Sequence, residues 1–335
     1  MSRKRQLMHS ATVANQESGG ANATKMARKR YTTEFIEYCT ARRIDLTNPK
    51  NITPELLNSY ARYLATTTTE RTGNSNGTVQ NKMAAIRKLL KKRGIDLEKL
   101  GIETNAGLGL GPRRRGGTKM PVTDAIYTVA VNWAITQGEI GLAHCLNLER
   151  YLGHRGLEAI MSPSGLLEFA REARQMLGGT LNAIPVLDGT KGGRQRVTMV
   201  IAKYASETLT AIAEALSYAE QNNGYLIKGQ TPGLKSARAR YAKIAANAGL
   251  VGRYAPHSLR YRYVCDKLEE LRDAGLSKAE ALVLVSAWIG HGPGRGRWVN
   301  MVYGQTVTNT FPKKTRRQTQ RSALEQIKAL IEQFP

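Results

Sequence analysis

The sequence predicts a mainly α-helical protein of two domains with a small β-hairpin, and three observations support this fold class. The chain has 335 residues, and at roughly 100–200 residues per domain this length favours two domains. Hydrophobic residues make up 41% of the chain, which is enough to bury a core in each domain. Most segments place apolar residues at helical spacing, whereas one pair of β-branched segments flanks a glycine-rich turn.

The N-terminal part predicts a basic tail followed by a helical domain. Residues 1–24 are small, polar or basic without periodicity, so a disordered basic arm is expected there. Residues 25–110 include a helix that begins at Thr53-Pro54 and another that ends at Gly94, which are start and stop signals respectively. Their apolar stripes are Leu56, Leu57, Tyr60 and Leu64 in the first helix and Val79, Met83, Ile86 and Leu90 in the second. Cations off the second stripe, which face either solvent or DNA phosphates, are Lys82, Arg87, Lys88 and Lys91.

Residues 111–120 form the predicted domain boundary. They are rich in glycine and include Arg113, Arg114 and Arg115, so the sequence predicts a flexible, positively charged linker that also contacts DNA.

Residues 121–335 are predicted to be mostly helical, with the β-hairpin inside them. The segments NAIPVL and RVTMVIA are apolar and β-branched, and the turn sequence between them places Lys191 near the hairpin tip. Helices are expected at 206–221, 233–248, 258–273, 277–290 and 322–333. The helix 277–290 begins with Ser277 and Glu280 at capping-box spacing, and the helix 322–333 begins with Ser322 and Glu325 at the same spacing.

The charge balance restricts the classes of partner. Lys and Arg number 50 against 26 Asp and Glu, which gives a formal net charge of +24 and favours a polyanion such as nucleic acid or an anionic membrane face. No run of 18 apolar residues predicts a membrane span, and no apolar stretch follows the basic start, so a cytoplasmic protein is expected. The three cysteines, Cys39, Cys145 and Cys265, are too widely separated for a disulfide framework or a CxxC metal site.

Four short segments and one tyrosine carry the candidate chemistry. They are Gly153-His154-Arg155-Gly156-Leu157-Glu158, Thr190-Lys191-Gly192-Gly193-Arg194, His257-Ser258-Leu259-Arg260, Trp288-Ile289-Gly290-His291-Gly292, and Tyr303 twelve positions after His291. Neither a Walker loop nor an HExxH motif is present, and the acidic residues do not cluster as a two-metal nuclease site requires. Two guanidiniums grip the non-bridging oxygens of a phosphodiester, a Lys or His protonates a leaving 5′ oxygen, and a tyrosine attacks phosphorus.

Each of these residues also has an ordinary structural interpretation. Arg155 and Glu158 could form a helix-end ion pair, and Lys191 could be a solvated turn residue. His257 could be a helix cap, His291 a helix-end histidine, and Tyr303 a core aromatic. His9, His144 and His154 receive no role.

The order of the segments resembles the tyrosine recombinase/phage integrase family, whose pattern is R…K…HxxR…(H/W)…Y. Matching residues are Arg155, Lys191, His257, Arg260, His291 and Tyr303, with Gly153 and Glu158 in the family's context around the first arginine. The resemblance covers most of the chain. It implies a SAM-like core-binding domain at 25–110 and a catalytic domain at 121–335, closing as a C-shaped clamp around DNA.

The resemblance also implies a mechanism and partners. Tyr303 forms a 3′-phosphotyrosine, and Lys191 is the acid for the 5′ oxygen. Glu158 orients the segment around the first arginine without contacting the phosphate itself. Arg155, Arg260, His257 and His291 hold the phosphate. The implied protein is a site-specific recombinase that integrates or excises a mobile element through a Holliday junction, without cofactor or metal. Its implied partners are double-stranded DNA with a specific core site, three further protomers in a homo-tetramer and accessory DNA-bending factors. Its implied location is the cytoplasm, in association with the nucleoid, with no membrane partner.

Three departures from the family pattern stand out, and two other functions stay open. The connection from His291 to Tyr303 is longer than the family's, Tyr261 stands where the family often has His, and Gly156 follows the first arginine. A type IB topoisomerase shares the same catalytic logic, although the Gly-His segment and the terminal helix 322–333 favour a recombinase. A catalytically inactive architectural DNA-binding protein is the third interpretation. In the family, a helix such as 322–333 docks on a neighbouring protomer or on its own domain.

Overall fold

The structure, a computed structural model, divides into two compact units, Met1–Arg114 and Arg115–Pro335. It describes residues 9, 12–13, 22–47, 51–66, 68–69, 72–73, 75–102, 104–112, 119–162, 165, 183–190, 193–304, 306–307 and 311–312. Features predicted from the sequence that lie outside these residues are Lys191, the cations Arg113, Arg114 and Arg115, and the helix 322–333. Among the described residues no helix is both long and apolar enough to cross a bilayer.

The first unit is helical, as predicted. Its elements are α1 (Asn22–Ala41), α2 (Pro54–Thr66), the antiparallel pair β1 (Thr68–Thr69) and β2 (Thr72–Gly73), and α3 (Asn76–Lys92). α1 begins at Asn22, inside the segment predicted to be tail, and the β1–β2 pair was not predicted. Local signals set the helix ends, because Thr53 accepts a hydrogen bond from the Leu56 N–H and Ser75 accepts one from the Thr78 N–H.

The core of the first unit lies between these three helices. Every residue of the two predicted apolar stripes is buried, and Phe35, Ile36 and Cys39 of α1 pack against them. The rings of Phe35 and Tyr60 meet edge to face with centroids 4.9 Å apart. Spacing alone therefore identified the buried faces of α2 and α3.

The second unit is mostly helical and contains the predicted hairpin. Its elements are α4 (Asp124–Thr136), α5 (Ile140–Leu152), α6 (Gly156–Met161), β3 (Ala183–Val186), β4 (Arg196–Met199), α7 (Ala205–Gln221), α8 (Leu234–Asn247), α9 (His257–Asp273), α10 (Lys278–Trp288) and α11 (Gly296–Val302). β3 and β4 pair antiparallel from Ala183 with Met199 to Val186 with Arg196. At the start of α10 the predicted capping box forms between Ser277 and Glu280.

α5 is the central helix of the second unit and packs against α4, α7 and α9. Its Leu142 and Leu146 belong to one apolar cluster, whereas Tyr263, Val285 and Val299 belong to a second cluster formed by α9, α10 and α11. The ends of α5, α9, α10 and α11 come together beside both clusters, and the candidate residues lie there.

Candidate active site

A left-handed glycine turn after α5 presents the first arginine. Gly153 has φ 60° and ψ 31°, and a Cβ at this position would collide with the ring of Tyr263. Arg155 follows in an extended conformation directly before α6, and its main-chain N–H donates to Glu158 Oε2 at 2.8 Å. Its guanidinium also pairs with the Glu158 carboxylate. The helix-end ion pair is therefore formed, and it belongs to a larger cluster.

The carboxylate of Glu158 is buried among three guanidiniums. Besides Arg155, Arg196 Nη2 lies 2.8 Å and Arg260 Nη1 lies 3.6 Å from Glu158 Oε2. Burial by itself raises the pKa of this carboxyl, but Arg196 and Arg260 outweigh it and hold the pKa well below its ordinary value. Glu158 is therefore ionised at neutral pH, and three positive charges face one negative charge.

Arg260 is fully buried behind this carboxylate. Its two terminal nitrogens donate to the main-chain carbonyls of Gly153 and Ile289, and Arg155 Nη2 donates to the same Ile289 carbonyl at 3.2 Å. Burial, together with Arg196 and Arg155, lowers the pKa of Arg260 to about 10, so it stays charged at neutral pH. The Arg155 side chain is 20% exposed, so Arg155 is the guanidinium of this pair that solvent reaches.

Arg196 belongs to the same cluster and was missed in the sequence. It is the first residue of β4, 6% exposed, and donates to the Trp288 carbonyl at 2.6 Å and to the Gly153 carbonyl at 3.3 Å. An arginine at the edge of a glycine-rich turn is usually solvated. The sequence signal that could have identified Arg196 is the alternation of buried and exposed side chains along a strand. Arg196 shares the inward face of β4 with the buried Thr198.

Tyr303 directly follows α11 and is only 2% exposed. Its hydroxyl oxygen lies 3.2 Å from His257 Nε2 and 3.5 Å from His291 Nε2. The ring packs against Tyr261, the residue noted above as a departure from the family pattern, with centroids 4.4 Å apart. Tyr303 is thus a core aromatic, yet its hydroxyl faces the two histidines named from the sequence.

His257 is placed to accept a proton from Tyr303. It begins α9, and the residue before it, Pro256, occupies the cap position, so His257 is not the cap of this helix. Burial first, and then Arg260, Arg155 and Lys119, lower the pKa of His257 to about 4. The imidazole is therefore neutral at physiological pH, and in the Nδ1-protonated tautomer its Nε2 carries a free lone pair.

The long connection between His291 and Tyr303 folds into a compact turn and helix. Gly290 and Gly292 have φ values of 69° and 76°, a turn of 3₁₀-helix spans Pro293–Arg295, and α11 follows. Within α11, Trp298 packs against His291 with ring centroids 4.4 Å apart and the ring planes tilted by 58°. The extra residues are therefore accommodated while the His291–Tyr303 contact is kept, and Trp298 is a second residue that the sequence did not reveal.

Lys191 lies outside the described residues. Gly192 also lies outside them, whereas Thr190 and Gly193 are described, and the Gly193 N–H donates to the Thr190 carbonyl at 3.2 Å. The described part of the chain contains no cluster of three or more His, Cys, Asp or Glu side chains suited to a metal ion.

The four cations predicted on α3 do not share one environment. Lys82 Nζ pairs with Glu34 Oε2 at 2.7 Å and is only 13% exposed, and Arg87 Nη2 donates to Asn105 Oδ1 at 2.8 Å. These two side chains are engaged within the first unit, whereas the sequence left open whether the four cations face solvent or DNA phosphates. Lys91 is exposed, and slight burial with the neighbouring charges of Arg28 and Lys92 lowers the pKa of Lys88.

Comparisons with known proteins match two parts of the chain to family models. The family model described as a phage integrase SAM-like domain matches residues 8–93, and the model described as Integrase matches residues 109–266. Comparison with curated proteins finds no match. Among solved structures, the Tn1549 transposon integrase in complex with transposon right end DNA has a TM-score of 0.53 at 13% identity, over 96% of this chain and 99% of that one. The XerA recombinase aligns over 99% of both chains at 14% identity with a TM-score of 0.34.

Proposed function

The chain belongs to the tyrosine recombinase/phage integrase family, whose two models together span more than half of it, and we propose that it is the site-specific recombinase of a mobile element. The observation that carries this proposal is the position of one tyrosine hydroxyl. It lies within 3.5 Å of two histidine nitrogens and beside a cluster of three guanidiniums that share one carboxylate. A nucleophile, a base and an anion site are thus present in one unit.

The first step is binding of the scissile phosphate at the guanidinium cluster. Arg155 binds its non-bridging oxygens from the exposed side. Among the described residues, the buried Arg260 Nε has no hydrogen-bond partner, and we assign it to the phosphate on condition that binding displaces the groups that cover it. The excess of positive charge over Glu158 stabilises the additional negative charge of a pentavalent transition state, as an oxyanion hole does.

Attack by Tyr303 follows. Its oxygen forms a bond to phosphorus and its proton passes to His257 Nε2, while the bond from phosphorus to the 5′ oxygen breaks. We assign Lys191 as the acid that protonates this 5′ oxygen. The product is a 3′-phosphotyrosine, and attack by the 5′ hydroxyl of a second duplex reverses the step and creates a Holliday junction. Because the phosphodiester energy is kept in the enzyme link, rejoining does not require ATP.

Cationic surfaces on both units are assigned to the DNA backbone. On α8 the exposed cations are Lys235, Arg238, Arg240 and Lys243, and Arg240 also pairs with Glu139. On the first unit we retain Lys88 and Lys91 and add Arg28. Each phosphate contact releases counterions, so affinity is expected to fall steeply with salt. Synapsis of two sites in this mechanism requires four protomers.

The proposal is tested by recovering covalent protein–DNA adducts from cells that express the wild type or Tyr303→Phe. Rapid denaturation followed by sequencing of the attached ends reveals where the enzyme cuts. We expect wild-type adducts at one recurrent sequence and none with Tyr303→Phe. Adducts scattered over the genome would instead indicate a type IB topoisomerase. DNA binding by both proteins without adducts, in cells and on nicked substrates that trap the cleaved state, would indicate an architectural protein.

A further inference from the structure

Three guanidiniums contact Glu158, and they differ in their exposure to solvent and in the groups that hold them. Arg155 is 20% exposed, whereas Arg260 and Arg196 are buried. Arg260 is held by two main-chain carbonyls and stands 3.6 Å from the carboxylate. Arg196 contacts both carboxylate oxygens, with Nη2 at 2.8 Å from Oε2 and Nε at 3.4 Å from Oε1. Arg196 is thus the buried guanidinium that grips this carboxylate with two donors.

We propose that Arg196 is a positioning residue that serves as the permanent counter-ion of Glu158, so that Arg155 is free to bind the scissile phosphate. The inference rests on the proposed function for the identity of that phosphate. A carboxylate removed from water needs an opposite charge and hydrogen bonds close to it. If Arg155 were its main partner, binding of a DNA phosphate by Arg155 would leave Glu158 uncompensated. With Arg196 in place, Arg155 changes partner without that cost.

The surroundings of Arg196 fit a fixed role. Its Nη1 donates to the Trp288 carbonyl and its Nη2 to the Gly153 carbonyl, so it joins the turn before Arg155 to the turn before His291. A Cβ at Gly290 would lie 2.9 Å from Arg196 Cδ, so this turn packs directly on the arginine stem. Both ends of the side chain are therefore held, whereas Arg155 keeps an exposed face.

A stability experiment tests the counter-ion role independently of catalysis. Arg155→Met is introduced into the wild type and into Arg196→Met, and the urea midpoint of each protein is measured. We expect Arg155→Met to lower the midpoint about twofold more in the Arg196→Met background, because Glu158 then depends on Arg155. Arg196→Gln, which also removes the charge but keeps a hydrogen-bonding side chain, provides a second background if Arg196→Met does not fold. Equal midpoint shifts in both backgrounds would overturn the proposal.

A cleavage experiment tests the consequence for catalysis. Single-turnover adduct formation is measured at saturating DNA, using a nicked duplex that contains the sequence recovered from wild-type adducts. Arg196→Met is expected to slow this step by roughly 10- to 100-fold, the range for a misplaced catalytic group, without weakening DNA binding. Adding Glu158→Gln removes the charge that captures Arg155, so the double variant is expected to cleave faster than Arg196→Met alone.

The outcomes distinguish failure of the counter-ion role of Arg196 from failure of the proposed function. A double variant no faster than Arg196→Met would show that Arg196 only supports the fold, and the counter-ion role would be rejected. If the wild type formed no adduct on any DNA, the proposed function would fail, while the urea midpoints would still decide whether Arg196 serves Glu158.

Discussion

Two buried carboxyls of the second unit have opposite electrostatic surroundings. Glu158 lies among guanidiniums and stays ionised, whereas Glu149 on α5 accepts a hydrogen bond from the Tyr241 hydroxyl of α8. Burial raises the pKa of Glu149 to about 8, although Tyr241 and Arg260 act in the other direction. At this scale the partner, rather than the residue type, decides which acid carries charge at neutral pH.

The Glu149→Gln variant is predicted to become increasingly stable relative to the wild type as the pH rises. A carboxyl whose folded pKa is raised contributes stability that is complete below its ordinary pKa of 4.5 and is lost as pH rises through about 8. Relative to the variant, the wild type should lose on the order of 4 kcal/mol of unfolding free energy between pH 4.5 and pH 9. Urea unfolding across this range measures the difference. A constant difference would mean that Glu149 is ionised throughout.

His257 is predicted to be the base for Tyr303. Because its pKa is lowered to about 4, protonation of His257 should not limit adduct formation between pH 5 and pH 8. His257→Ala should slow adduct formation by roughly 10²- to 10⁴-fold, the usual contribution of a positioned base, with DNA affinity retained. Single-turnover cleavage across pH tests both statements. Full activity of His257→Ala together with loss in His291→Ala would transfer the role to His291.

At the scale of elements, the connection from α10 to α11 determines whether the Tyr303 hydroxyl reaches the two histidines. The turn after α10 places the Ile289 carbonyl on Arg155 and Arg260, and the next residues bring His291 back beside Tyr303. Two left-handed glycines allow this reversal, and Ser286 fixes it by donating to the Gly292 carbonyl at 2.6 Å. A short segment thus connects the guanidinium cluster to Tyr303.

Gly290→Ala is predicted to damage this connection, and Gly294→Ala provides its matched control. Gly290 has φ 69° and a Cβ there would lie 2.9 Å from Arg196, whereas Gly294 has no positive φ and open space around it. Gly290→Ala should cost about 1–3 kcal/mol of stability and slow cleavage, because a side chain in this conformation is strained. Urea unfolding and adduct formation are the measurements. Equal behaviour of the two variants would contradict the argument.

The parts of the molecule that the sequence predicts are those controlled by local signals. Capping residues and apolar spacing predicted α2, α3, α9 and α10, and turn residues predicted the β3–β4 hairpin. Arg196 and Trp298 were missed because their roles arise from contacts that no local pattern encodes. Arg196 reaches the Trp288 carbonyl, 92 positions away in sequence, and its neighbours in the chain indicate only the end of a strand.

At the scale of the whole molecule, the position of Tyr303 predicts which protomer cuts which strand. The Tyr303 hydroxyl contacts His257 and His291 of its own chain, and the ring is buried against its own Tyr261. An enzyme that donated its tyrosine to a neighbour would need to expose this residue. We therefore expect each protomer to attack the phosphate that its own Arg155 and Arg260 hold.

Mixing two inactive variants tests this expectation. Tyr303→Phe lacks the nucleophile and Arg260→Met lacks part of the anion site, so each alone should form no adduct. If cleavage uses residues of one chain, the mixture should also form none, because no protomer contains both groups. If a tyrosine could serve a neighbouring site, the Arg260→Met protein would supply it to the intact arginines of Tyr303→Phe. Adducts at up to about half the wild-type yield would then overturn the prediction. Gel-shift binding of both variants to the recovered site provides the control that each occupies the DNA.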